Sequence, residues 1–309
     1  MYNENTVRKY IEMALDEDLS SNGDITTDSI IARESRCEAA AFFKSDGILA
    51  GLEFALLTFD VLARIKNCDT IKILSRRRDG EKLKKGETAL RISGPTRLIL
   101  SGERTFLNIL QRMSGIATYA GRLSAMIKGS GAKIVDTRKT TPNFRVFEKA
   151  AVAIGGAANH RFGLFDGVLI KDNHIEAAGS IAAAVARARA AAHHLMKIEV
   201  ETSSLAQVAE AIEAGADVIM LDNMSESEMK KAVKLIAGRA LCEASGGISE
   251  DNIVKTAGCG VDLISIGAIT HSAKPMDISL KIVKTLSGAA GSRAKKALTA
   301  AGKGKGGNE

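Results

Sequence analysis

The sequence predicts an α/β protein in which a small mixed α/β part precedes a parallel sheet wound with helices. Its 309 residues suffice for about two domains, and 45% apolar with 26% charged residues is an ordinary globular composition. Aromatic residues make up only 4%, which favours an aliphatic core. From residue 133 onward, short β-branched runs alternate with helical segments, which is the pattern of repeated βα units.

The first hundred residues combine short elements without an internal repeat. Apolar residues recur at helical spacing from Val7 to Leu15, and an apolar helix is expected near 52–65. Extended runs, which predict strands, lie near 39–43, 70–74 and 88–92. A long helical pattern over 96–126, interrupted at Ser114-Gly115, then joins the two halves.

The second half contains six short runs with the composition of buried strands, at 133–136, 167–171, 197–201, 218–222, 241–245 and 263–267. Parallel strands need crossover connections, which the helical segments between the runs supply. A closed barrel of this kind has about eight strands. Six runs therefore predict an open, incomplete parallel barrel with the N-terminal part nearby.

Each run ends in polar residues or glycine, and in parallel α/β folds these carboxyl ends open onto one crevice. The cationic candidates for that crevice are Arg138, Lys139, His160, Arg161 and Lys171, and the carboxylate candidates are Glu201 and Asp222. So many bases in a concave site predict an anionic ligand, because their mutual repulsion would otherwise be unfavourable. The two carboxylates would either hold Mg²⁺ on a pyrophosphate or accept hydrogen bonds from sugar hydroxyls.

Glycines close the last two runs, in Ser245-Gly246-Gly247 and in Ile266-Gly267-Ala268. Glycine lets backbone N–H groups approach an anion at a helix N-terminus, and barrel phosphate sites lie between the last strands. With a helix expected to begin near Ser249, these segments predict a site for a terminal phosphate. Taken alone, the residues predict an enzyme for a phosphorylated sugar and an anionic co-substrate.

The charge distribution weighs against a nucleic-acid partner. The net charge is +7, but seven bases and one acid lie in residues 281–309, which leaves 36 bases and 35 acids elsewhere. A nucleic-acid-binding protein would place aromatic residues among its bases. We therefore interpret residues 290–309 as a flexible basic tail, and the bases scattered over 64–97 as a solvated face or, alternatively, a surface for a partner or an anion.

Other patterns bear on location. The chain lacks a charge-free apolar stretch of about 18 residues and a signal-peptide pattern, so we expect neither a membrane span nor secretion. The four cysteines have no metal-site spacing and are expected to be reduced thiols of a cytoplasmic protein. His193-His194 lies in an alanine-rich helix and is interpreted as a surface pair, because no third metal ligand is placed beside it.

Several longer motifs carry a resemblance that extends over about residues 10–285. They include ERTFLNILQRMSGIAT at 103–118, DTRKTTP at 136–142, NHRFGL at 159–164, LIKDNH at 169–174, MLDNM at 220–224 and ASGGI at 244–248. With LDED at 15–18 and GDITT at 23–27, they make the chain similar to the quinolinate phosphoribosyltransferases, the carboxylating nicotinate-nucleotide pyrophosphorylases.

The resemblance implies a type II phosphoribosyltransferase fold. It places an N-terminal α/β sandwich domain over 1–114 and an open α/β barrel over 115–276, with a helix at 277–289 packed back on the first domain. It also implies a homodimer, or a higher homo-oligomer, in which Arg104 reaches into the neighbouring subunit's site.

The implied reaction transfers phosphoribosyl from phosphoribosyl pyrophosphate to quinolinate with Mg²⁺, giving nicotinate mononucleotide, pyrophosphate and CO₂ for NAD synthesis. By motif match, the quinolinate side would comprise Arg138, His160 and Arg161, with Thr137 as a further substrate contact. The pyrophosphate and ribose side would comprise Lys139, Lys171, Glu201 and Asp222, and the 5′-phosphate side Ser245 to Gly247 with Ile266 to Ala268.

Two departures from the family pattern lie in loops beside the cations. Asn143-Phe144 stands where Gly-Leu is common, and Ala157 replaces a third glycine, which puts the shape of these loops in question. A related enzyme that uses nicotinate or another anionic acceptor is the alternative. The presence of both Arg138 and Arg161 favours a dicarboxylate.

Overall fold

The computed structural model describes residues 3–286 and divides them into two compact units. The first comprises residues 3–114 and 275–286, and the second comprises 115–274. The tail expected at 290–309 lies outside the described residues. Within 3–286, no helix is long and apolar enough to cross a membrane.

In chain order the strands are β1 (Arg36–Phe43), β2 (Gly47–Ile48), β3 (Lys72–Arg76), β4 (Lys82–Leu83), β5 (Thr88–Pro95), β6 (Lys133–Val135), β7 (Val168–Ile170), β8 (Ile198–Thr202), β9 (Val218–Asp222), β10 (Leu241–Ser245), β11 (Leu263–Ser265) and β12 (Ile278–Leu286). The helices are α1 (Glu4–Leu19), α2 (Ile25–Ile30), α3 (Leu52–Lys66), α4 (Thr96–Met126), α5 (Arg145–Ile154), α6 (Asp172–Ala178), α7 (Ile181–Ala191), α8 (Leu205–Glu213), α9 (Glu226–Ile236), α10 (Ile253–Ala257) and α11 (Ala268–His271).

The first unit contains a four-stranded antiparallel sheet in the order β12-β1-β5-β3 and a short β2-β4 ribbon. Small and aromatic side chains of β1, such as Ala39, Ala41 and Phe43, are buried. Phe59 of α3 packs on Phe106 of α4 with the ring centroids 5.2 Å apart. The unit is thus a layered α/β domain, as expected.

The prediction of a helix at 277–289 is wrong for the described residues, because residues 278–286 form the strand β12. Ile278 lies opposite Phe43 of β1, and Leu280 lies opposite Ala41. Apolar residues alternate at this start of β12, which suits a pleated surface, and the edge of β1 supplies the hydrogen-bond partners. The segment therefore completes the first sheet as an edge strand.

The interruption expected at Ser114-Gly115 is also wrong, since α4 runs unbroken from Thr96 to Met126. Ser114 is fully buried, and its Oγ accepts the backbone N–H of Ala50 at 3.1 Å. Tertiary contacts of this kind outweigh the weak helix propensity of serine and glycine.

The second unit is built on a six-stranded sheet in the order β6-β11-β10-β9-β8-β7, in which every neighbouring pair is parallel. The six runs predicted as strands are confirmed. Within the described residues β6 and β7 form the two edges, so the sheet is an open barrel as predicted. Buried apolar residues fill the strand interiors, including Val200, Ile219, Leu221, Ala244 and Ile264.

Helix α5 lies against the C-terminal half of α4 through Gly155, which follows its last turn. A Cβ atom added at Gly155 would lie 2.4 Å from the carbonyl oxygen of Ala117 and 2.9 Å from the Cβ of Ala120. Only glycine therefore permits this approach of the two helices within the second unit.

We predict that Gly155→Ala lowers stability by about 1–3 kcal/mol, because the methyl group must displace backbone. Thermal unfolding of the purified variant measures the loss. Gly258→Ala is the matched control, since that glycine follows α10 and the nearest atom to its added Cβ would be 3.3 Å away. Equal unfolding temperatures for Gly155→Ala and the wild type would contradict the packing argument.

Candidate active site

A cavity of about 740 Å³ opens at the carboxyl ends of the parallel strands in the second unit. The expected site residues that line it are Thr137, Arg138, Lys139, His160, Arg161, Lys171, Glu201, Asp222, Ser245, Gly246, Gly247, Ile266, Gly267 and Ala268. Arg104 does not line it, since it lies on α4 in the first unit. Cations, carboxylates and glycines that are far apart in sequence therefore meet at one edge of the sheet.

Lys171 and Glu201 form an ion pair inside the cavity. Lys171 follows β7, and its Nζ donates to Oε2 of Glu201 on the neighbouring strand β8. Asp222 ends β9 beside Ser245 of β10, and its Oδ2 accepts a hydrogen bond from Asn223 at 2.8 Å. Two carboxylates on adjacent strands thus line the cavity, and one of them is paired with Lys171.

The loop that carries Arg138 and Lys139 is fixed through its backbone. The Glu148 carboxylate accepts the N–H and the hydroxyl of Thr141 at 3.1 and 3.0 Å, and the Thr270 hydroxyl donates to the Lys139 carbonyl at 2.7 Å. The side chains of Arg138 and Lys139 remain exposed. A rigid loop therefore presents two cations to the cavity.

A buried ion pair fixes the backbone of the loop that carries His160. Asp136, which is fully buried, accepts hydrogen bonds from Lys149 Nζ at 2.5 Å, Asn159 Nδ2 at 2.7 Å and the His160 N–H at 2.8 Å. Lys149 also donates to the His160 carbonyl at 3.0 Å. Burial raises the pKa of Asp136 and lowers the pKa of Lys149, and these hydrogen bonds offset that cost.

Arg161 points its guanidinium along the rim, where Nη1 donates to the carbonyl of Gly167 at 2.9 Å. Burial and then the nearby charge of Arg138 lower the pKa of Arg161. Two guanidinium groups that repel each other in this way indicate a place for an anion.

Both ring nitrogens of His160 are engaged within the protein. Nδ1 accepts the backbone N–H of Arg161 at 2.7 Å, so Nε2 carries the hydrogen and donates it to Glu199 at 2.8 Å. Burial lowers the pKa of His160, but the hydrogen bond and charge of Glu199, with the charge of Glu243, raise it overall. A proton on Nδ1 would require the Arg161 N–H to turn away.

Glu199 and Glu243 are site residues that sequence reasoning missed. They are 6% and 1% exposed, and within the described residues Oε1 of each has no hydrogen-bond partner. Burial, and then the charge of Glu199, raise the pKa of Glu243 to about 7. Each lies two positions before an expected site residue, Glu201 or Ser245, and alternate strand residues share a face, which was the available signal.

His160, Glu199 and Glu243 also bring three possible metal donors within 4.8 Å of one another. A metal on Nε2 would need Nδ1 to donate its hydrogen to an acceptor. Nδ1 instead faces the Arg161 N–H, so the arrangement suits a shared proton better than a metal ion. Oxygen donors for Mg²⁺ are present separately, in the Glu201 and Asp222 carboxylates.

The glycine segment after β10 turns sharply into the cavity. Gly246 has a φ of 91°, and a Cβ there would lie 2.2 Å from Oδ1 of Asn223. The helix expected near Ser249 is wrong in its start, because α10 begins at Ile253. Asn252 caps a turn by accepting the Ser249 N–H at 2.9 Å and donating to the Gly247 carbonyl at 3.0 Å. After β10 it is therefore loop backbone, and not the start of α10, that lines the cavity.

The two sequence departures are accommodated locally. Asn143 has a φ of 61°, a left-handed conformation that asparagine tolerates, and Phe144 stacks on Phe147 with centroids 4.4 Å apart. The N–H of Ala157 donates to the Val152 carbonyl at 3.2 Å. Neither change displaces Arg138 or Arg161 from the cavity lining.

Known proteins resemble the chain over most of its length. Family models described as the quinolinate phosphoribosyl transferase N-terminal and C-terminal domains match residues 24–114 and 116–281. The probable nicotinate-nucleotide pyrophosphorylase [carboxylating] of Bacillus subtilis is 45% identical over 86% of this chain and 90% of its own. The human nicotinate-nucleotide pyrophosphorylase [carboxylating] is 39% identical over 82% and 85%. The crystal structure of NadC from Streptococcus pyogenes superposes with a TM-score of 0.86 at 40% identity, covering 93% of this chain and 99% of that one.

The pKa of Glu243 generates a prediction about stability. Between its unfolded value near 4.5 and its folded value of about 7, the folded protein binds a proton that the unfolded chain releases. Stability should therefore fall as the pH rises through this window, by about 3 kcal/mol in total.

Glu243→Gln removes that carboxyl and should show less loss of stability between about pH 5 and about pH 8. Urea or thermal unfolding at both pH values measures the difference. Glu213→Gln, at a side chain that is 80% exposed, is the control, and its free energy of unfolding should depend on pH as that of the wild type does. The prediction is wrong if Glu243→Gln keeps the wild-type dependence on pH.

Proposed function

The chain belongs to the quinolinate phosphoribosyltransferase family, and on that premise we propose that it transfers the phosphoribosyl group of phosphoribosyl pyrophosphate to quinolinate. The quinolinate loses one carboxylate, and the products are nicotinate mononucleotide, pyrophosphate and CO₂, in NAD biosynthesis. Such an enzyme is a pentosyltransferase. The observation that carries the proposal is a cavity in which two arginines, two lysines and three carboxyl side chains meet a glycine loop.

The rim with Arg138 and Arg161 fits the two carboxylates of quinolinate. Guanidinium groups bind carboxylates with paired hydrogen bonds. Burial, and then repulsion from Arg138, lower the pKa of Arg161. A dianion would relieve that repulsion. We assign His160 to the same side, acting through the Arg161 backbone because both of its nitrogens are occupied.

The remaining lining residues suit phosphoribosyl pyrophosphate. We assign Lys139 and Lys171 to the pyrophosphate and reacting groups, and Glu201 and Asp222 to the ribose hydroxyls or to Mg²⁺. Mg²⁺ would add positive charge on the leaving pyrophosphate when bound there. The backbone at Ser245 to Gly247 and Ile266 to Ala268 would receive the 5′-phosphate, with Thr137 as a further contact.

The proposed mechanism relies on positioning and electrostatics. As pyrophosphate leaves, positive charge develops on the ribose carbon while the pyridine nitrogen bonds to it, and the lysines balance the departing anion. The positive charge of the alkylated ring nitrogen then stabilises the electron pair that stays on the neighbouring ring carbon as CO₂ leaves, and a proton bonds to that pair. No side-chain nucleophile takes part in this scheme.

The test is product analysis with protein, Mg²⁺, phosphoribosyl pyrophosphate and quinolinate labelled in the 2-carboxylate. We expect nicotinate mononucleotide and labelled CO₂ in equal amounts. Nicotinate in place of quinolinate tests the alternative acceptor. Turnover of nicotinate alone, without release of CO₂, would overturn the proposal.

We further propose a homodimer, or a higher homo-oligomer, in which Arg104 serves the neighbouring subunit's site. Arg104 lies on α4 in the first unit, outside the cavity lining of the second. A cytoplasmic location accords with the four free cysteines.

This arrangement predicts complementation between inactive variants. Arg104→Ala and Lys171→Ala should each be nearly inactive, since each removes a charged contact worth about 1.5–3 kcal/mol. A mixed dimer would hold one pocket with both defects and one with neither. Co-refolding the two variants should thus restore up to about half of the activity per mixed dimer. Mixed dimers that form and stay inactive would show that Arg104 does not act across the interface.

A further inference from the structure

Three polar residues on one face of α5 hold both of the loops that carry arginines. They are Arg145, Glu148 and Lys149, spaced by three and four positions so that their side chains project together. One loop comprises residues 137–141 after β6, and the other comprises residues 159–162. We call these residues the α5 clamp.

Arg145 is the member that touches both loops. Its Nε donates to the Thr140 hydroxyl at 2.9 Å and its Nη2 to the Arg138 carbonyl at 3.4 Å, both in the first loop. Its Nη1 donates to the Phe162 carbonyl at 3.0 Å in the second. One planar guanidinium thus sets the distance between the backbones that bear Arg138 and Arg161.

The other two members each fix one loop from the buried side of the helix. Glu148, which is fully buried, accepts both hydrogen bonds of Thr141. Lys149, which is 1% exposed, donates to Asp136 and to the His160 carbonyl. Since α5 is rigid, the hydrogen bonds of these three side chains hold the two loops at a fixed position relative to the helix and to each other.

We propose that Arg145 is a positioning residue that sets the spacing of Arg138 and Arg161 and thereby selects an aromatic ligand with two adjacent carboxylates. The inference rests on the proposed function, in which those arginines bind quinolinate. Two carboxylates on neighbouring ring atoms have a fixed separation, so a small shift of one arginine costs the second contact. A monocarboxylate needs only one arginine and should be much less sensitive.

The test compares Arg145→Gln and Arg145→Lys with the wild type in steady-state kinetics. Both variants should raise the KM for quinolinate by at least about tenfold and leave the KM for phosphoribosyl pyrophosphate within about twofold. Lysine keeps the positive charge but lacks the planar fork that reaches three acceptors, so it should not rescue binding. A wild-type KM for quinolinate in Arg145→Lys would overturn the inference.

A binding measurement without turnover separates this inference from the proposed function. Benzene-1,2-dicarboxylate has the same adjacent carboxylates but no ring nitrogen, and calorimetry with benzoate as the monocarboxylate gives the ratio of affinities. We expect Arg145→Gln to lower the affinity for the dicarboxylate at least about tenfold and that for benzoate by much less. Equal losses for both ligands would refute the spacing role even if the enzyme is active. A wild-type protein that binds the dicarboxylate but produces no nicotinate mononucleotide would overturn the proposed function alone.

Arg189→Gln is the matched control. Arg189 likewise donates to a backbone carbonyl, that of Gly215 at 2.9 Å, and to Asp217 at 2.8 Å, but neither partner lies in the loops that carry Arg138 and Arg161. The Arg189→Gln variant should lower the unfolding temperature about as much as Arg145→Gln does, while the KM values for quinolinate and phosphoribosyl pyrophosphate stay unchanged. A similar rise in the KM for quinolinate in the control would identify the effect of Arg145→Gln as general destabilisation and overturn the inference.

Discussion

The buried ion pair between Lys149 and Asp136 is the contact on which the arrangement of the cavity depends. Both side chains are almost completely withdrawn from solvent, so each charge is stable only while its partner and the surrounding hydrogen bonds are in place. Removal of one partner from such a pair costs about 3–5 kcal/mol. The pair also joins the residue after β6 to the backbone of His160. Its hydrogen bonds therefore fix the position of the loop that bears Arg161.

A second set of buried ionisable groups, the carboxyl groups of Glu199 and Glu243, lies beside His160. Glu199 and Glu243 face His160 from β8 and β10. The imidazole can carry one positive charge, whereas the two carboxylates together would carry two negative charges. Burial, and then the charge of Glu199, raise the pKa of Glu243, so this residue keeps its proton to a higher pH than a solvated carboxyl. The cavity lining thus combines exposed cations, such as Arg138 and Lys139, with the buried Glu243.

The reaction proposed for this protein depends on the rigidity of the cavity and not on a reactive side chain. Phosphoribosyl transfer proceeds when the nucleophilic nitrogen, the ribose carbon and the leaving pyrophosphate are in line, and fixed charges then stabilise the departing anion. Helix α5 supplies much of the frame, because its polar face bonds to both loops while its end packs on α4 through Gly155. The glycine loop after β10 supplies backbone in place of side chains.

Local sequence patterns were enough to predict the six βα units and the charges at their carboxyl ends, because strand and helix periodicity are local and parallel strands end at one edge of a sheet. Residues such as Arg138, Lys171 and Asp222 could thus be assigned to one cavity without coordinates. Long-range contacts selected among the local preferences. Residues 278–286 form a strand because β1 has an open edge, and Ser114 stays helical because its hydroxyl accepts the N–H of Ala50. Folding also determines that the two ring nitrogens of His160 bond to Arg161 and Glu199. Glu199 lies 39 positions from His160 in the sequence, so only folding brings their atoms to hydrogen-bond distance.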